Sequence, residues 1–443
     1  MTNTAPLASP ARLALRGDLL DFVGAPSWGE VESSAVRFRP DHWLLIENGR
    51  ITGAQPEAPD ASWVREDHRG KLILPGFIDT HVHMPQLDVI ASYGTELLDW
   101  LNTYTFPAES RYADPEHSRA GAELFVEALL AHGTTSAMVF ATVHKTSVDA
   151  LFAAARQRGM RLITGKVLQD RHSPDGLRDD VVQAERDCID LIERWHGVER
   201  LAYAVTVRFA PTSTPEQLAM AGALCRCDAS LYMQTHVAEN RAEVQWAGEL
   251  FPQARSYLDV YARAGLLHRR SVLAHGIWID DADRAALAEA GAQIAHSPSS
   301  NLFLGSGLFD WRAASVGGAA VSLASDVGGG TSLSMIRTMA DAYKVQAMAG
   351  QRLTAWTALH AATLGAAQAL LLDEEIGSLE AGRSADVCVW DWAADPVAAR
   401  RMGVARSLHE KVFAWMTMAD DRNLRGTWIA GTLRYSRIDQ GLR

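Results

Sequence analysis

The feature that most constrains the fold of this chain is the alternation of short, apolar, β-rich runs with segments of helical periodicity. The β-rich runs cover residues 71–83, 134–140, 161–168, 201–211, 230–239, 271–279, 292–300 and 319–329. The intervening segments include residues 116–133, 148–159 and 281–291, and the last two end on the glycine expected at a helix C-terminus. Eight strands that alternate with helices predict a TIM-like (β/α)8 barrel of the α/β class, and a doubly wound open sheet is the alternative.

The two ends of the chain follow a different pattern. Residues 41–55 contain Asn48-Gly49 between apolar runs, which is the signal of a tight β-hairpin. Residues 385–391 and 427–437 also predict strands, without crossover helices. We therefore predict a small β-sandwich side domain formed by both termini. The predicted boundaries are residues 1–70 and 371–443 for the two parts of this side domain, and residues 71–370 for the barrel.

Charge and composition narrow the class of partner. The 443 residues carry a net charge of −11 with no basic run, so the chain lacks the clustered Lys and Arg that nucleic-acid binding requires. No stretch reaches the ~18 apolar residues of a membrane span, and the N-terminus lacks the pattern of a signal peptide. Four scattered cysteines do not make a disulfide framework in a chain of this length. We expect a cytoplasmic protein that acts on small molecules and binds neither nucleic acid nor a membrane.

The first predicted barrel strand ends in a pattern typical of metal binding, LPGFIDTHVHMPQ (residues 74–86). Side chains two positions apart face the same side of a strand, so Asp79, His81 and His83 project together. At the carboxyl end of a barrel strand, this face looks into the barrel mouth, where barrel enzymes keep their catalytic residues. Two adjacent inward imidazoles form a chelating pair for zinc.

Three later strands place polar side chains at the same end of the barrel. His236 ends the fifth strand and Glu239 follows three residues later, while His275 and Asp326 end the sixth and eighth strands. Together with the histidine pair of the first strand, His236 and Asp326 make a three-His, one-Asp set that leaves a position for water. Such an open set predicts one catalytic zinc ion per chain.

The motifs PGFIDTHVH, THVAE, LAHG and SD, in this order over roughly residues 70–330, resemble the amidohydrolase superfamily of metal-dependent barrel hydrolases. Five segments are more narrowly similar to the guanine deaminases of the barrel type: HMPQ (83–86), LLDWLNTYTFPAE (97–109), GKVLQD (165–170), VRFAPTST (207–214) and THVAEN (235–240). The flanking β segments fit the composite side domain of that family, so the resemblance covers nearly the whole chain. It implies that guanine and water are converted to xanthine and ammonia, in purine catabolism or salvage.

The resemblance also implies roles for individual residues. The zinc ion would be held by His81, His83, His236 and Asp326. Glu239 would take a proton from the attacking water and pass it to a ring nitrogen of the purine, which is a general acid/base role. His275 would hydrogen-bond the attacking oxygen, and Asp326 would carry the second proton to the departing amine.

The expected substrate contacts lie at the barrel rim. Gln86 can donate and accept hydrogen bonds in one plane, which suits the lactam edge of guanine. Arg208 would offer two donors to the O6 side, with Phe209 nearby. The structural alternatives are that Gln86 caps the first βα loop and that Arg208 pairs with a carboxylate. The full set of expected substrate-binding residues is His83, Gln86, Arg208, Phe209, His236 and Glu239.

Alternative interpretations remain open at this point. Lys166 ends the third strand and could bridge two metal ions, but the deaminase branch resembles a one-metal site. A sister hydrolase acting on another aminated or halogenated heterocycle is disfavoured by Gln86, Arg208 and the segment 97–109 together. A metal-free barrel that serves as a binding protein is disfavoured because all four ligands and Glu239 are present. We also expect a homodimer.

Overall fold

A computed structural model describes residues 11–94 and 97–437 of the chain. The ends of the predicted side domain, residues 1–10 and 438–443, lie outside the described residues. The expectation about a signal peptide concerns the N-terminus and therefore also falls partly outside them. The strands are β1 (Arg12–Phe22), β2 (Val36–Glu47), β3 (Arg50–Gln55), β4 (Val64–Pro75), β5 (Phe77–His83), β6 (Thr134–Phe140), β7 (Arg161–Gly165), β8 (Val167–Leu168), β9 (Leu201–Val207), β10 (Tyr232–Val237), β11 (Ser271–His275), β12 (Gln293–His296), β13 (Ala320–Leu323), β14 (Val387–Asp391), β15 (Leu424–Ile429) and β16 (Thr432–Ser436).

Strands β5 to β13 form a parallel barrel in which neighbours follow chain order. The third predicted run is two short strands, since β7 and β8 both pair with β9 and are interrupted at Lys166. The first and last strands approach each other, because the Thr80 hydroxyl donates to the Leu323 carbonyl at 3.0 Å. The backbone N–H of Asp326 donates to the His81 carbonyl, also at 3.0 Å. This nearly closed barrel confirms the predicted fold class, and the sequential strand order excludes the doubly wound sheet.

The helices lie between the strands and around the barrel. They are α1 (Leu97–Trp100), α2 (Phe106–Ser110), α3 (Pro115–Ala131), α4 (Lys145–Arg158), α5 (Val181–Trp195), α6 (Pro215–Cys227), α7 (Arg241–Leu250), α8 (Tyr257–Arg263), α9 (Asp281–Ala290), α10 (Pro298–Phe303), α11 (Trp311–Val316), α12 (Met335–Met348), α13 (Ala355–Ala361), α14 (Leu364–Ala369), α15 (Pro396–Gly403) and α16 (Leu408–Met418). A π-helix joins α1 to α2 (Leu101–Thr105), and short 3-10 helices span Met84–Val89, Arg111–Ala113, Asp175–Leu177, Ala210–Thr212 and Asp421–Asn423.

Local sequence signals account for the bounds of several helices. α3 begins after Asp114, whose side chain accepts a hydrogen bond from the backbone N–H of Glu116. α4 and α9 end at Gly159 and Gly291, which adopt left-handed φ values of 67° and 66°. Glycine carries no Cβ penalty in this conformation, so the two predicted helix ends fall where glycine permits the chain to turn.

The termini build a seven-stranded mixed sheet in the order β16, β15, β14, β4, β1, β2, β3. The side domain predicted from both termini is therefore confirmed, and the hairpin at Asn48-Gly49 joins β2 to β3. The strand predicted over residues 427–437 is interrupted, because Ala430 and Gly431 take positive φ values and fold the segment into the hairpin β15–β16. The predicted boundary between residues 70 and 71 falls within β4. The division into residue ranges stays a prediction.

Buried polar contacts join the side sheet to the barrel. Arg200, which directly precedes β9, forms an ion pair with the buried carboxylate of Asp386 next to β14. The Thr427 hydroxyl of β15 donates to the Leu130 carbonyl of α3 at 2.8 Å. Over the described ranges, no helix has both the length and the apolar character needed to cross a membrane.

Candidate metal centre and active site

Four side chains predicted to bind a metal converge at the carboxyl end of the barrel. The Nε2 atom of His83 lies 3.1 Å from Nε2 of His81 and 3.2 Å from Nε2 of His236. Asp326 Oδ1 lies 3.2 Å from His81 Nε2 and 3.3 Å from His83 Nε2. All four ligand atoms lie within 4.8 Å of one another. The fold thus brings together residues that are up to about 245 positions apart in the chain.

The spacing of these atoms suits one ion. Neighbouring ligand atoms that each lie about 2.0–2.1 Å from a zinc ion are roughly 2.9–3.5 Å apart, and four of the six separations in the cluster, given above, fall in this range. Burial lowers the pKa of His83 to about 4 and holds the pKa of His236 well below its usual value. Both imidazoles are therefore neutral at pH 7 and offer lone pairs to a cation.

A backbone hydrogen bond fixes the orientation of His236. Its Nδ1 atom lies 2.6 Å from the carbonyl oxygen of Arg208. Because a carbonyl only accepts, Nδ1 carries the proton and Nε2 keeps its lone pair directed at the cluster. Burial raises the pKa of the Asp326 carboxyl, but the neighbouring His81, His83 and His275 have the larger opposite effect and hold it well below its usual value.

The strand ends that carry the site bend sharply. His275, the last residue of β11, has φ of 71°, and Asp326, three residues after β13, has φ of 48°. Left-handed backbone in a residue other than glycine costs of order 1–3 kcal/mol and persists only where the surroundings enforce it. Asp79 provides part of that enforcement, since its carboxylate accepts hydrogen bonds from the backbone N–H and the hydroxyl of Ser325.

Glu239 lies beside the cluster in a buried position. One carboxylate oxygen accepts a hydrogen bond from the Ser306 hydroxyl at 2.8 Å, and the other lies 3.4 Å from Nε2 of His275. Burial, together with the negative charge of Asp326, raises the pKa of Glu239 to about 8. A carboxyl group with a pKa in this range can take up and release a proton near neutral pH.

His275 is held between an amide and two carboxyl groups. Its Nδ1 atom lies 2.8 Å from Oδ1 of Asn301. With the amide oxygen as acceptor, Nδ1 carries the proton and Nε2 faces the carboxyl groups of Glu239 and Asp326, at 3.4 and 3.7 Å. Its neighbours thus aim this ring nitrogen into the space next to the metal cluster.

A pocket opens over the cluster and receives all the predicted catalytic and substrate-binding side chains. Leu97, Trp100 and Leu101 add an apolar wall that suits a flat aromatic ring. The lining residues are His83, Gln86, Leu97, Trp100, Leu101, Arg208, Phe209, His236, Glu239, Glu243, His275, Ser300, Leu304, Asp326 and Gly329.

Arg208 and Gln86 share one buried carboxylate. Arg208 Nη1 donates to Oε2 of Glu109 at 2.6 Å, and Gln86 Nε2 donates to Oε1 of the same residue at 3.3 Å. The Gln86 oxygen accepts from the backbone N–H of Gly328 at 3.1 Å. The structural alternative for Arg208, pairing with a carboxylate, is therefore correct, and the side chain still lines the pocket.

Four further residues contact the site without having been predicted from the sequence: Glu109, Ser306, Asn301 and Glu243. Glu109 lies in a segment that carries the family resemblance, but nothing local indicates its contacts. Glu243 accepts hydrogen bonds from two backbone N–H groups at the start of α7, as the N-cap residue Asn240 and a glutamate three positions later would have indicated. Ser306 and Asn301 follow β12 and carry no local signal for their contacts with Glu239 and His275.

Lys166 does not line the pocket. Its ammonium group is buried, forms an ion pair with Asp179 and donates to the Val167 carbonyl at 3.3 Å. A buried, paired ammonium is not available to bridge metal ions.

Comparison with known proteins extends these observations. Residues 72–434 match the model of the amidohydrolase family. A guanine deaminase of Escherichia coli strain K12 is 43% identical over 430 residues, covering 96% of this chain and 98% of that protein.

Solved structures of guanine deaminases superpose on this chain over nearly its whole length. The structure of E. coli guanine deaminase superposes with a TM-score of 0.93 at 42% identity, covering 96% of this chain and 99% of the other. A guanine deaminase from C. acetobutylicum, solved with guanine in its active site, has a TM-score of 0.86 at 25% identity and covers 96% of this chain and 100% of the other.

Proposed function

Because the chain belongs to the amidohydrolase family, we propose that it catalyses the hydrolytic deamination of guanine to xanthine and ammonia. One observation carries this proposal: a three-His, one-Asp cluster, a buried carboxyl group of raised pKa and a hydrogen-bonding pair, Gln86 and Arg208, face one pocket. The first two parts provide hydrolysis, and the third provides selection of the base.

We propose that His81, His83, His236 and Asp326 hold one zinc ion. The donor set supports this proposal, because imidazole nitrogens and carboxylate oxygens are the ligands of catalytic zinc sites, and such sites can expand their coordination to admit water. Zinc bound there would supply a Lewis acid that makes water nucleophilic at neutral pH.

We assign the proton transfers to Glu239 and Asp326. As the water oxygen bonds to C2 of guanine, Glu239 accepts one proton and delivers it to the adjacent ring nitrogen. The second proton passes through Asp326 to the amino group, the C2–N bond breaks, and ammonia leaves as C2 becomes a carbonyl. His275 hydrogen-bonds the attacking oxygen, and its position 3.4 Å from Glu239 and 3.7 Å from Asp326 supports this role.

We assign recognition of the base to the rim of the pocket. Arg208 donates to O6 of guanine, and Gln86 contacts the neighbouring lactam edge through one donor and one acceptor. Phe209 supplies apolar contact, and His83, His236 and Glu239 surround the reacting carbon. The position of all these side chains on the pocket wall supports the assignment.

The alternative is a sister hydrolase acting on another aminated or halogenated heterocycle. Purified protein incubated with guanine distinguishes the two, since deamination yields one xanthine and one ammonia per guanine. Removal of metal by a chelator should abolish the reaction and zinc should restore it, with about one ion bound per chain. Absence of xanthine from the zinc-loaded protein would exclude the guanine proposal, and two tightly bound ions would exclude the one-metal site.

We also propose that the enzyme works in the cytoplasm as a homodimer. The four cysteines, all unpaired, are compatible with a reducing compartment. Light scattering on the purified protein measures the mass directly, and a mass of about 48 kDa, that of one chain, would exclude the dimer.

A further inference from the structure

We propose that Glu109 is the positioning residue that gives the pocket its selectivity for the base, by holding Gln86 and Arg208 in register through its two carboxylate oxygens. This inference rests on the proposed function of the same site. Glu109 does not line the pocket and is 1% exposed, so it acts through the two side chains that do.

Each carboxylate oxygen of Glu109 accepts a hydrogen bond from a different residue of the proposed base-recognition pair. Oε2 accepts from Nη1 of Arg208 at 2.6 Å, while Oε1 accepts from Nε2 of Gln86 at 3.3 Å. A carboxylate is the side chain that accepts on both oxygens, whereas an amide accepts on only one. An ion pair that merely neutralised Arg208 would leave the second oxygen without a function in the pocket.

The side-chain amide of Gln86 is held through both its nitrogen and its oxygen. Its nitrogen donates to Glu109 and its oxygen accepts from the backbone N–H of Gly328. Rotating the amide by 180° would set two donors against each other at Gly328 and two acceptors at Glu109. One N–H and one oxygen lone pair of Gln86 therefore remain for a ligand, in a defined order along the pocket wall.

The guanidinium of Arg208 is held on one face by an aromatic ring and at one edge by the Glu109 carboxylate. Its guanidinium lies 5.0 Å from the centre of the Phe106 ring, and Phe106 belongs to the same short helix, α2, as Glu109. The main chain of Arg208 accepts the hydrogen bond from His236 Nδ1. Arg208 thus links the metal cluster to α2, and Glu109 sets where the remaining guanidinium donors point.

The order of donors and acceptors that results is the complement of a lactam. Arg208 presents donors to a carbonyl oxygen, and beside it Gln86 presents an acceptor and a donor to an N–C=O edge. Loss of the Glu109 charge would release both side chains at once, and a displacement of the order of 1 Å at a binding site can cost about 10²-fold in turnover. The effect should fall on ligands that carry the lactam edge.

The test uses Glu109→Gln, with Glu116→Gln as the matched control on the neighbouring helix α3, where the side chain is exposed and pairs with Arg119. Three quantities are measured: kcat/KM for guanine, zinc content, and the inhibition constants of hypoxanthine and purine. Hypoxanthine has the same O6 and N1–H as guanine, while purine lacks both.

We expect Glu109→Gln to lower kcat/KM for guanine by about 10²-fold with zinc content unchanged, and to raise the inhibition constant of hypoxanthine by about tenfold or more while that of purine stays constant. Glu116→Gln should match the wild type. If Glu109→Gln fails to fold, Glu109→Asp keeps the charge on a shorter side chain and should show the same selective loss for hypoxanthine.

Two results would overturn the inference: an unchanged kcat/KM in a folded Glu109 variant, or an equal weakening of hypoxanthine and purine, which would indicate general disorder of the pocket. Failure of the wild-type protein to deaminate guanine would instead exclude the proposed function. The two failures are distinguished by the wild-type measurement alone.

Discussion

Replacing Glu239 by Gln separates the chemistry of the site from its metal binding. The carboxyl group is not among the four candidate ligands, and it lies buried between the Ser306 hydroxyl at 2.8 Å and the His275 ring nitrogen at 3.4 Å. Gln has nearly the same shape, and its amide oxygen can still accept from Ser306. What the variant loses is the ability to accept and return a proton.

The magnitude follows from that loss. General acid/base catalysis contributes about 10²–10⁴-fold, which corresponds to ~3–5 kcal/mol of the activation free energy. Glu239 is buried next to the negative charge of Asp326, and both effects disfavour its charged form and raise its pKa to about 8, so a neutral amide at this position should not destabilise the fold. Turnover should therefore fall while the zinc content and the unfolding temperature stay at the wild-type values.

The assay is the initial rate of xanthine formation from saturating guanine, with metal analysis and a thermal melt on the same preparation. Glu249→Gln is the matched control, since this residue lies on the same helix, α7, with an exposed side chain. A kcat for Glu239→Gln within about fivefold of the wild type would refute the role of Glu239 as the proton carrier, because a loss of that size is far smaller than the expected ~10²–10⁴-fold. Parallel loss of zinc and activity would show that Glu239 supports the metal instead.

Further predictions address the metal, the base and the fold. His81→Ala removes one of four ligands, so metal analysis should show loss of zinc together with activity. Arg208→Ala should retain zinc but lower kcat/KM for guanine by about 10²-fold or more, since a buried carbonyl acceptor loses a charged donor; an unchanged value would contradict its role. Asp386→Asn leaves the partly buried Arg200 without its carboxylate and should lower the free energy of unfolding in urea at pH 7 by about 1–3 kcal/mol. Burial raises the pKa of Asp386, but the charge of Arg200 lowers it by more, so the folded value lies below the unfolded carboxyl pKa of about 3.9. The stabilisation by the Asp386–Arg200 pair is therefore fully present above pH ~3.9 and is lost as the pH falls through the folded pKa. A stability difference between wild type and variant that did not shrink in acid would contradict this.

The sequence predicts the barrel well because its strands are buried on both faces. All seven residues of β5 and all seven of β6 are buried, and each strand carries an apolar group, Phe77-Ile78 with Val82 in β5 and residues 137–140 in β6, that marks a short run between helices. The candidate ligands are predictable for the same reason, since a polar side chain at the carboxyl end of such a run can face only the barrel mouth.

The residues that position the site are less predictable, because their partners are distant in the chain. Glu109 meets Arg208 across 99 positions, and Ser306 meets Glu239 across 67. The left-handed backbone of His275 and Asp326 is another such feature, because neither is a glycine whose presence would indicate it. Local periodicity determines which element forms, whereas these contacts depend on how eight strand ends meet.

The hairpin β15–β16 shows the limit of local turn signals. Its turn consists of Ala430 and Gly431, and alanine rarely takes positive φ. The hairpin β2–β3 has Asn48-Gly49 at the equivalent place, which is the common sequence for this turn and was predictable. Gly431 packs against the other hairpin, where an added Cβ would lie 2.9 Å from the Ile46 side chain, so this position requires glycine.

The most direct measurement of the central claim is the ratio of kcat/KM for guanine to that for adenine, taken on one zinc-loaded preparation with cytosine and a triazine panel alongside. Adenine presents an amino donor and a bare ring nitrogen where guanine presents a carbonyl acceptor and an N–H, so the buried groups of Gln86 and Arg208 would stay unpaired with adenine. Mismatches of this kind reach ~10⁴–10⁵-fold, and the account predicts a ratio of that order in favour of guanine. Release of ammonia from adenine, cytosine or a triazine faster than from guanine would contradict it.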